Sequence, residues 1–488
     1  MAIRSSSRNF WLVLALSALP YLGFWAYGLF DLDEGFYAAV VAEMLRRGDW
    51  ITPHYNGEPW FEKPILLYWA AAPCVAIFGE AVGPRLPSVL ATLGLCTVLY
   101  RFVRLKINET VALLTIAVYA TSLLVVGVGR MMLTDALLVL CLSAAFLTYF
   151  RSLETERPGR DRALAGLFLG LSVLAKGPVG IVLFAGVAGV FAVLQRERPR
   201  GGWPGFFVLL AVGMAIWYVP AWMANGDRFV QEFLIKQNVQ RFIGGDAAHT
   251  VPGLFNAVFY VAVLLVGMAP WSLYAIGALR PGSDRFLRFC AVWFGVVFVF
   301  YTLGSAKLPH YVLAAVPPLA ILIADRIGRT RPRARVRWPG VVATSAIVAV
   351  VAHTALTIYY YGFDVRLFGR QVQVSGFHAE LHALARWVRT QGGPVAAYQM
   401  PRRTADRGTG GARLMETSHP SLAFYLNESV LDTDRLDELL AHAGPIWIIT
   451  RANRIGPLEI ERAQASNRAL TPVRTPMRQD VYRLYRLF

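Results

Sequence analysis

The sequence predicts a polytopic α-helical membrane protein with a small α/β domain at its C-terminal end. Three observations carry that expectation. Of 488 residues, 56% are hydrophobic and only 16% are charged, and the mean hydropathy is +0.46; a soluble chain of this length needs more polar surface to cover its core. The charges cluster between apolar runs close to the ~20 residues a helix needs to cross a bilayer. After Tyr361 that pattern stops, and short apolar stretches alternate with polar ones.

The formal net charge of +17 comes mainly from arginines scattered over loops. They form no recognition motif, so nucleic acid is not an expected partner. Cys74, Cys96, Cys141 and Cys290 all lie in apolar segments, with no CxxC pair and no nearby histidine. They read as small hydrophobic residues, not as a disulfide framework or a thiolate metal site. Arg4 and Arg8 precede the first apolar run, and no small-x-small cleavage site follows it, so this run reads as a retained helix.

About eleven spans are expected, near 10–30, 84–104, 110–128, 136–150, 163–176, 178–195, 204–224, 254–276, 288–303, 309–325 and 338–361. The segment 64–79 is apolar but short and carries Pro73, which suits a re-entrant or interfacial helix. Alternate loops hold the basic residues: Arg4 and Arg8; Arg101, Arg104 and Lys106; Arg151 to Arg162; Arg196 to Arg200; Arg280 to Arg288; Arg326 to Arg337. The positive-inside rule places these loops and the N-terminus in the cytoplasm, and an odd span count places the C-terminus outside. The expected organisation is a transmembrane domain over 1–362, with a first external loop at 31–83, and a periplasmic α/β domain over 363–488. In the latter, PVAAY, LAFYL, PIWIIT and VYRLY read as strands, Glu380–Arg389 and Asp432–His442 as helices, and Gly408–Gly411 as a loop.

The polar groups at the outer boundary need an account. From Tyr37, the residues Val40, Val41, Met44 and Leu45 recur at helical spacing, with Glu43, Arg46 and Arg47 opposite. That describes an amphipathic helix along the interface, and Asp33 at its start serves either as an N-cap or as a functional carboxylate. In Trp60-Phe61-Glu62-Lys63-Pro64, the proline holds Lys63 extended. Lys63 is then either a snorkelling lysine or a cation aimed at a phosphate on the membrane surface. Arg130 with Asp135, Lys176, Gln240-Arg241-Phe242, His249, and Lys307 with His310 share that outer side. Singly, each has a bland explanation as a cap or surface residue. Together they mark a functional site, because ionisable groups near lipid are costly.

The block DLDEGFYAAVVAEMLRRGDWITPHYNGEPWFEKPILLYW (residues 31–69) resembles the first external loop of membrane glycosyltransferases that include bacterial aminoarabinose transferases of lipid A and protein O-mannosyltransferases. RMMLTDA, LAKGP, QRF with a downstream His-x-x-Pro, and SAKLPHYVLAAVPPLA continue the likeness in order. The resemblance implies a type-C glycosyltransferase fold and inverting transfer of a sugar from a polyprenyl-phosphate carrier to an envelope acceptor, either a lipid A-like glycolipid, another glycan or a protein. It implies Asp33 and Glu34 as catalytic carboxylates and Lys63 at the donor phosphate. Arg241 and Arg130 are helpers to that lysine. Asp135, Tyr37 and Lys307 are expected to contact donor or acceptor, and Glu62 with His249 to hold a divalent metal, zinc, in some members. Phe36 and Trp60 depart from the pattern, standing where relatives often carry Arg and Tyr. That sets aminoarabinose apart as the least secured part of the likeness. A transporter or flippase of lipid-linked sugars is the alternative. It predicts pseudo-symmetric halves and broken helices near the midplane, whereas these polar groups gather on one face.

Overall fold

The computed structural model describes residues 2–31, 33–197, 201–240, 254–280, 282–304, 306–330, 338–367, 370–374, 377–400 and 419–488. The chain divides into two compact units. The first comprises Met1–Phe24, Phe61–Ala70 and Arg85–His353, and the second Trp25–Trp60, Ala71–Pro84 and Thr354–Phe488.

The first unit is helical. Among the described residues of the whole chain, six helices are long and apolar enough to cross a membrane. Two further pairs, Glu109–Ala120 with Leu123–Gly129 and Val258–Gly267 with Trp271–Ala278, are bent by 63° and 116°, and bring that number to eight if each pair is one span. Small residues let helices approach closely. A Cβ on Gly170 would lie 2.9 Å from the Leu210 carbonyl oxygen and 3.0 Å from Gly213 Cα. The helices Gly159–Lys176 and Trp203–Phe229 therefore meet backbone to backbone there. The first apolar window is shorter than expected. Its α-helix ends at Ala18 and a 3-10 turn carries Leu19–Tyr21, because Pro20 cannot donate to a continuing α-helix.

The second unit builds on the helix Asp33–Arg47. This helix is not an interfacial one with a wet polar face, since Glu34 through Met44 are all buried. Its buried Glu43 is paired: Oε1 accepts from Arg47 Nε at 2.8 Å and from the Gly57 amide at 3.1 Å. Gly57 sits in the hairpin between His54–Tyr55 and Glu58–Pro59, where Asn56 and Gly57 have φ of 52° and 90°. Positive φ at both central residues is what a tight hairpin of matching twist requires.

The five-stranded sheet runs Val430–Thr433, Val395–Tyr398, Ile446–Arg451, Tyr482–Leu487, Leu470–Pro472 in spatial order. The first three are mutually parallel and the last two pair antiparallel. Ala396, Ile446, Ile448 and Leu487 fill its core with Leu436 and Leu439 of a short helix. PVAAY, PIWIIT and VYRLY thus form strands. LAFYL does not: Ser421–Leu426 is a helix, closed by Asn427 at φ 57°. All six of its residues are buried, so the run has no polar face to reveal its period. Asp432–His442 also differs, since Asp432 and Thr433 end a strand and only Leu436–Leu440 is helical. Gly408–Gly411 lies outside the described residues.

Candidate functional site

In the second unit, Asp33 is the first residue of its helix and is half-buried. Among the described residues its carboxylate makes no hydrogen bond or ion pair, so it does not cap the helix. Glu34, fully buried, instead turns back to accept the Phe30 amide at 2.9 Å. Tyr37 is buried one turn on. Phe36 stacks on Trp60, ring centroids 4.8 Å apart and planes at 16°, and Tyr55 closes the group at 4.9 and 5.3 Å. The two positions read as departures from the resemblance are therefore partners in one apolar stack.

Two residues before Asp33, Asp31 anchors a cluster that sequence reasoning missed. Its Oδ1 accepts the Ser421 amide at 2.8 Å and its Oδ2 the Ser421 hydroxyl at 2.7 Å. The Nδ1 atoms of His378 and His419 each stand 3.6 Å from Oδ2. His382 Nε2 is 2.7 Å from Ser421 Oγ. Burial opposes ionisation of Asp31, but His378, His419 and His382 outweigh it and hold its carboxyl well below the usual range. Burial drives His382 the other way, far below the ordinary histidine value. Gly35 makes room for this arrangement, because a Cβ there would lie 2.1 Å from Asp31 Oδ1 and 2.6 Å from the Ser421 amide. One signal was present in the sequence. His378 and His382 are four residues apart in a helical stretch, hence on one face.

In the first unit, Lys63 and Glu62 are half-buried just ahead of the helix Leu66–Val82. Asp135, buried at the start of Thr134–Ser152, accepts from Lys176 Nζ at 2.5 Å and faces His310 Nε2 at 3.9 Å. Lys176 also lies over the Tyr311 ring at 4.3 Å. Lys63 adds its positive charge to the field at Asp135. Arg130 is fully buried, with Nη1 donating to the Pro20 carbonyl at 2.8 Å and Nη2 3.4 Å from His353 Nδ1. Lys307 donates to the carbonyls of Tyr301 and Thr302 at 2.6 and 2.7 Å. These are the last turn of Arg285–Leu303, where a cation suits the helix C-terminus. Burial lowers the pKa of Lys307 below the ordinary lysine value. Arg241 and His249 lie outside the described residues, so of the anticipated metal pair only Glu62 is described. A group of donors that fits a metal does exist among the described residues: Asp31, His378 and His382 place their ligand atoms within 4.8 Å of one another.

A polytopic helical unit, an α/β unit, and carboxylates and lysines in the order of the external-loop pattern define a membrane glycosyltransferase. The dolichyl-phosphate-mannose-protein mannosyltransferase family matches residues 62–223. An undecaprenyl phosphate-alpha-4-amino-4-deoxy-L-arabinose arabinosyl transferase of Shewanella sediminis is 30% identical over 394 residues, covering 76% of this chain and 71% of that one. The chain belongs to this arabinosyl transferase family of multi-pass membrane enzymes. The structure of ArnT from Cupriavidus metallidurans bound to undecaprenyl phosphate superposes with a TM-score of 0.74 at 17% identity, covering 97% of each chain. The archaeal oligosaccharyltransferase AglB from Archaeoglobus fulgidus follows with a TM-score of 0.51 at 12% identity, over 94% of this chain and 71% of that one. The fold is the type-C glycosyltransferase fold.

Proposed function

We propose that this bacterial inner-membrane protein transfers a sugar, with inversion, from a polyprenyl-phosphate carrier to an envelope acceptor, a lipid A-like glycolipid foremost. The observation that carries the reading is the state of Asp33. It is a half-buried carboxylate at the head of a helix, without a hydrogen bond or ion pair among the described residues, while its neighbour Glu34 is committed to the backbone. A general base must be available to take a proton.

In the proposed reaction, an acceptor hydroxyl attacks the anomeric carbon and its proton passes to Asp33. The bond from that carbon to the phosphate oxygen breaks, and polyprenyl phosphate leaves. If the acceptor is a phosphate, it needs no deprotonation and Asp33 orients it. Charge develops on the leaving phosphate, and Lys63, with Arg241 and Arg130, is assigned to stabilise it. Asp135, Tyr37 and Lys307 are assigned to donor and acceptor contacts. A metal held by Glu62 and His249 would have a structural, organising role and would complete its shell with water or substrate, since two protein ligands are too few to close a site. The Phe36–Trp60 stack supports donor contacts unlike those of an Arg-bearing relative, so the sugar is a hexose or pentose whose identity the assay must read.

The proposed topology keeps residues 1–362 as the membrane domain with about eleven spans, the N-terminus cytoplasmic and residues 363–488 periplasmic. The flippase alternative lacks support in family membership. Purified protein in detergent, given polyprenyl-phosphate sugar and acceptor lipid without a gradient, should release polyprenyl phosphate and glycosylated product. Mass spectrometry reads both. No product with any carrier-linked sugar, alongside gradient-dependent movement of the carrier in vesicles, would establish the flippase instead.

A further inference from the structure

We propose that the second unit holds a structural divalent metal ion, zinc by its donor chemistry, on Asp31, His378 and His382, with His419 as a further ligand. This set of ligands shares no residue with the Glu62–His249 pair.

The distances carry the first part of the argument. His378 Nδ1 and His419 Nδ1 are each 3.6 Å from Asp31 Oδ2. That is beyond an N–H···O hydrogen bond of ~2.7–3.2 Å. It is close to the roughly 3.3 Å that separates two ligand atoms sharing a tetrahedral zinc with bonds of ~2.0–2.1 Å. His378 is 8% exposed, and among the described residues its Nδ1 is buried with no hydrogen-bond partner. A buried imidazole nitrogen left so is costly, and one aimed at a carboxylate oxygen from ligand distance has an ion as its natural partner.

The surroundings supply the second part. Metal-bound histidines usually have the remaining ring nitrogen fixed by an outer partner. Here Tyr482 Oη lies 2.7 Å from His419 Nε2, and Tyr360 Oη 3.0 Å from His382 Nδ1. Each tyrosine holds the outer nitrogen and leaves the inner one facing the cluster. The Ser421 hydroxyl spans Asp31 Oδ2 and His382 Nε2, at 2.7 Å from each. It occupies the gap between those two donors and is the group an ion would displace. His378 and His382 come from one helical face, at the i, i+4 spacing that suits a single ion. Imidazoles with one carboxylate favour zinc, whereas calcium or magnesium would want a shell of oxygens. The ion would join the loop before the Asp33 helix to the helix Phe377–Gln391 and to the turn before Ser421–Leu426. Its role is to fix the fold of this unit.

The test uses the full chain in detergent, purified without a histidine tag, stripped with chelator and reloaded with zinc or cobalt chloride alone. Elemental analysis should then find zinc retained, and zinc should raise Tm. The double variant His378→Gln, His382→Gln should lose about tenfold or more of that affinity and the Tm rise. The double variant Glu62→Gln, His249→Gln should keep both. X-ray absorption at the zinc edge of the unmutated protein gives a reading that no folding defect can confound, and should show more than one imidazole per zinc. Retention by the His378/His382 variant, loss in the Glu62/His249 variant alone, or one imidazole or none at the zinc would each overturn the proposal. Absence of bound zinc at micromolar free ion would do so as well, leaving Asp31 held by the Ser421 amide and hydroxyl.

Discussion

Gly35→Ala tests how the start of the Asp33 helix is held. An added Cβ would meet Asp31 Oδ1 at 2.1 Å, the Ser421 amide at 2.6 Å and Pro420 Cγ at 3.0 Å. Two of these neighbours are a backbone amide and a hydrogen-bonded carboxylate, so neither yields by a simple rotamer change. Relieving the overlap costs about 1–3 kcal/mol as overpacking. Pushing Asp31 aside also breaks at least one of its bonds to Ser421, about 1.5–3 kcal/mol for a hydrogen bond to a charged group. Alanine returns roughly 1 kcal/mol through its better helix propensity. The net expectation is a destabilisation of about 1.5–5 kcal/mol, a fall in Tm of about 3–20 °C for a unit of this size. Gly189→Ala is the control: it lies within Val179–Gln195, with nothing within 4 Å of where the added methyl would stand, and should be neutral or stabilising by up to about 1 kcal/mol. Thermal unfolding of both variants in the same detergent is the assay. Equal Tm values for the two would refute the claim that Gly35 seats Asp31 against Ser421.

Asp33→Asn should reduce transfer from a polyprenyl-phosphate sugar by about 10²-fold or more, the usual contribution of a general base, with Tm unchanged; full activity in the detergent assay would remove Asp33 from that role. Phe36→Arg, the residue the family resemblance leads one to expect there, should cost about 3–5 kcal/mol here, because it breaks the stack on buried Trp60 and Tyr55 and buries a charge with no partner designed for it; a Tm within a degree of wild type would show that the pocket already accepts a guanidinium. Gly170→Val should destabilise the first unit by about 2–3 kcal/mol, since its Cβ would press on the backbone of Leu210 and Gly213; limited proteolysis in detergent should find the helix Trp203–Phe229 cut faster.

What the sequence disclosed follows from where each signal lives. Apolar windows with basic flanks are local, so helices such as Leu86–Lys106 and Thr134–Ser152 were legible, whereas the bends of 63° and 116° inside the windows 110–128 and 254–276 were not. Strands such as Ile446–Arg451 were legible because β-branched residues and bounding turns fall within six residues. Ser421–Leu426 was not, since a short run buried on every side has no period, and what makes it a helix is the Asn427 cap and its packing. The interfacial reading of Asp33–Arg47 failed for a related reason. Glu43 looks like a surface residue until Gly57, fourteen positions away, donates to it. Asp33 and Lys63 were singled out because they sit in one contiguous block. Asp31 lies in the same block, yet its partners are some 350 to 390 residues further along, and only the fold assembles them.

The segment Asp31-Leu32-Asp33-Glu34 therefore separates three acids by what surrounds them, not by their chemistry. Asp31 accepts the Ser421 amide and hydroxyl and faces two histidines at 3.6 Å, and Glu34 accepts the Phe30 amide. Both are buried or nearly so and both fix backbone. Asp33, between them, keeps a carboxylate at the head of the helix that is uncommitted among the described residues. A base is useful only if its position is set by something other than its own bonds, since any bond it makes at rest must be broken before it can take a proton. Here the neighbours on either side do the holding, and Gly35 is the residue without a side chain that lets Asp31 come close enough to do it. The consequence is that substitutions at Asp31 and Gly35 should act on Asp33 through position, lowering transfer together with stability, whereas Asp33→Asn should lower transfer alone.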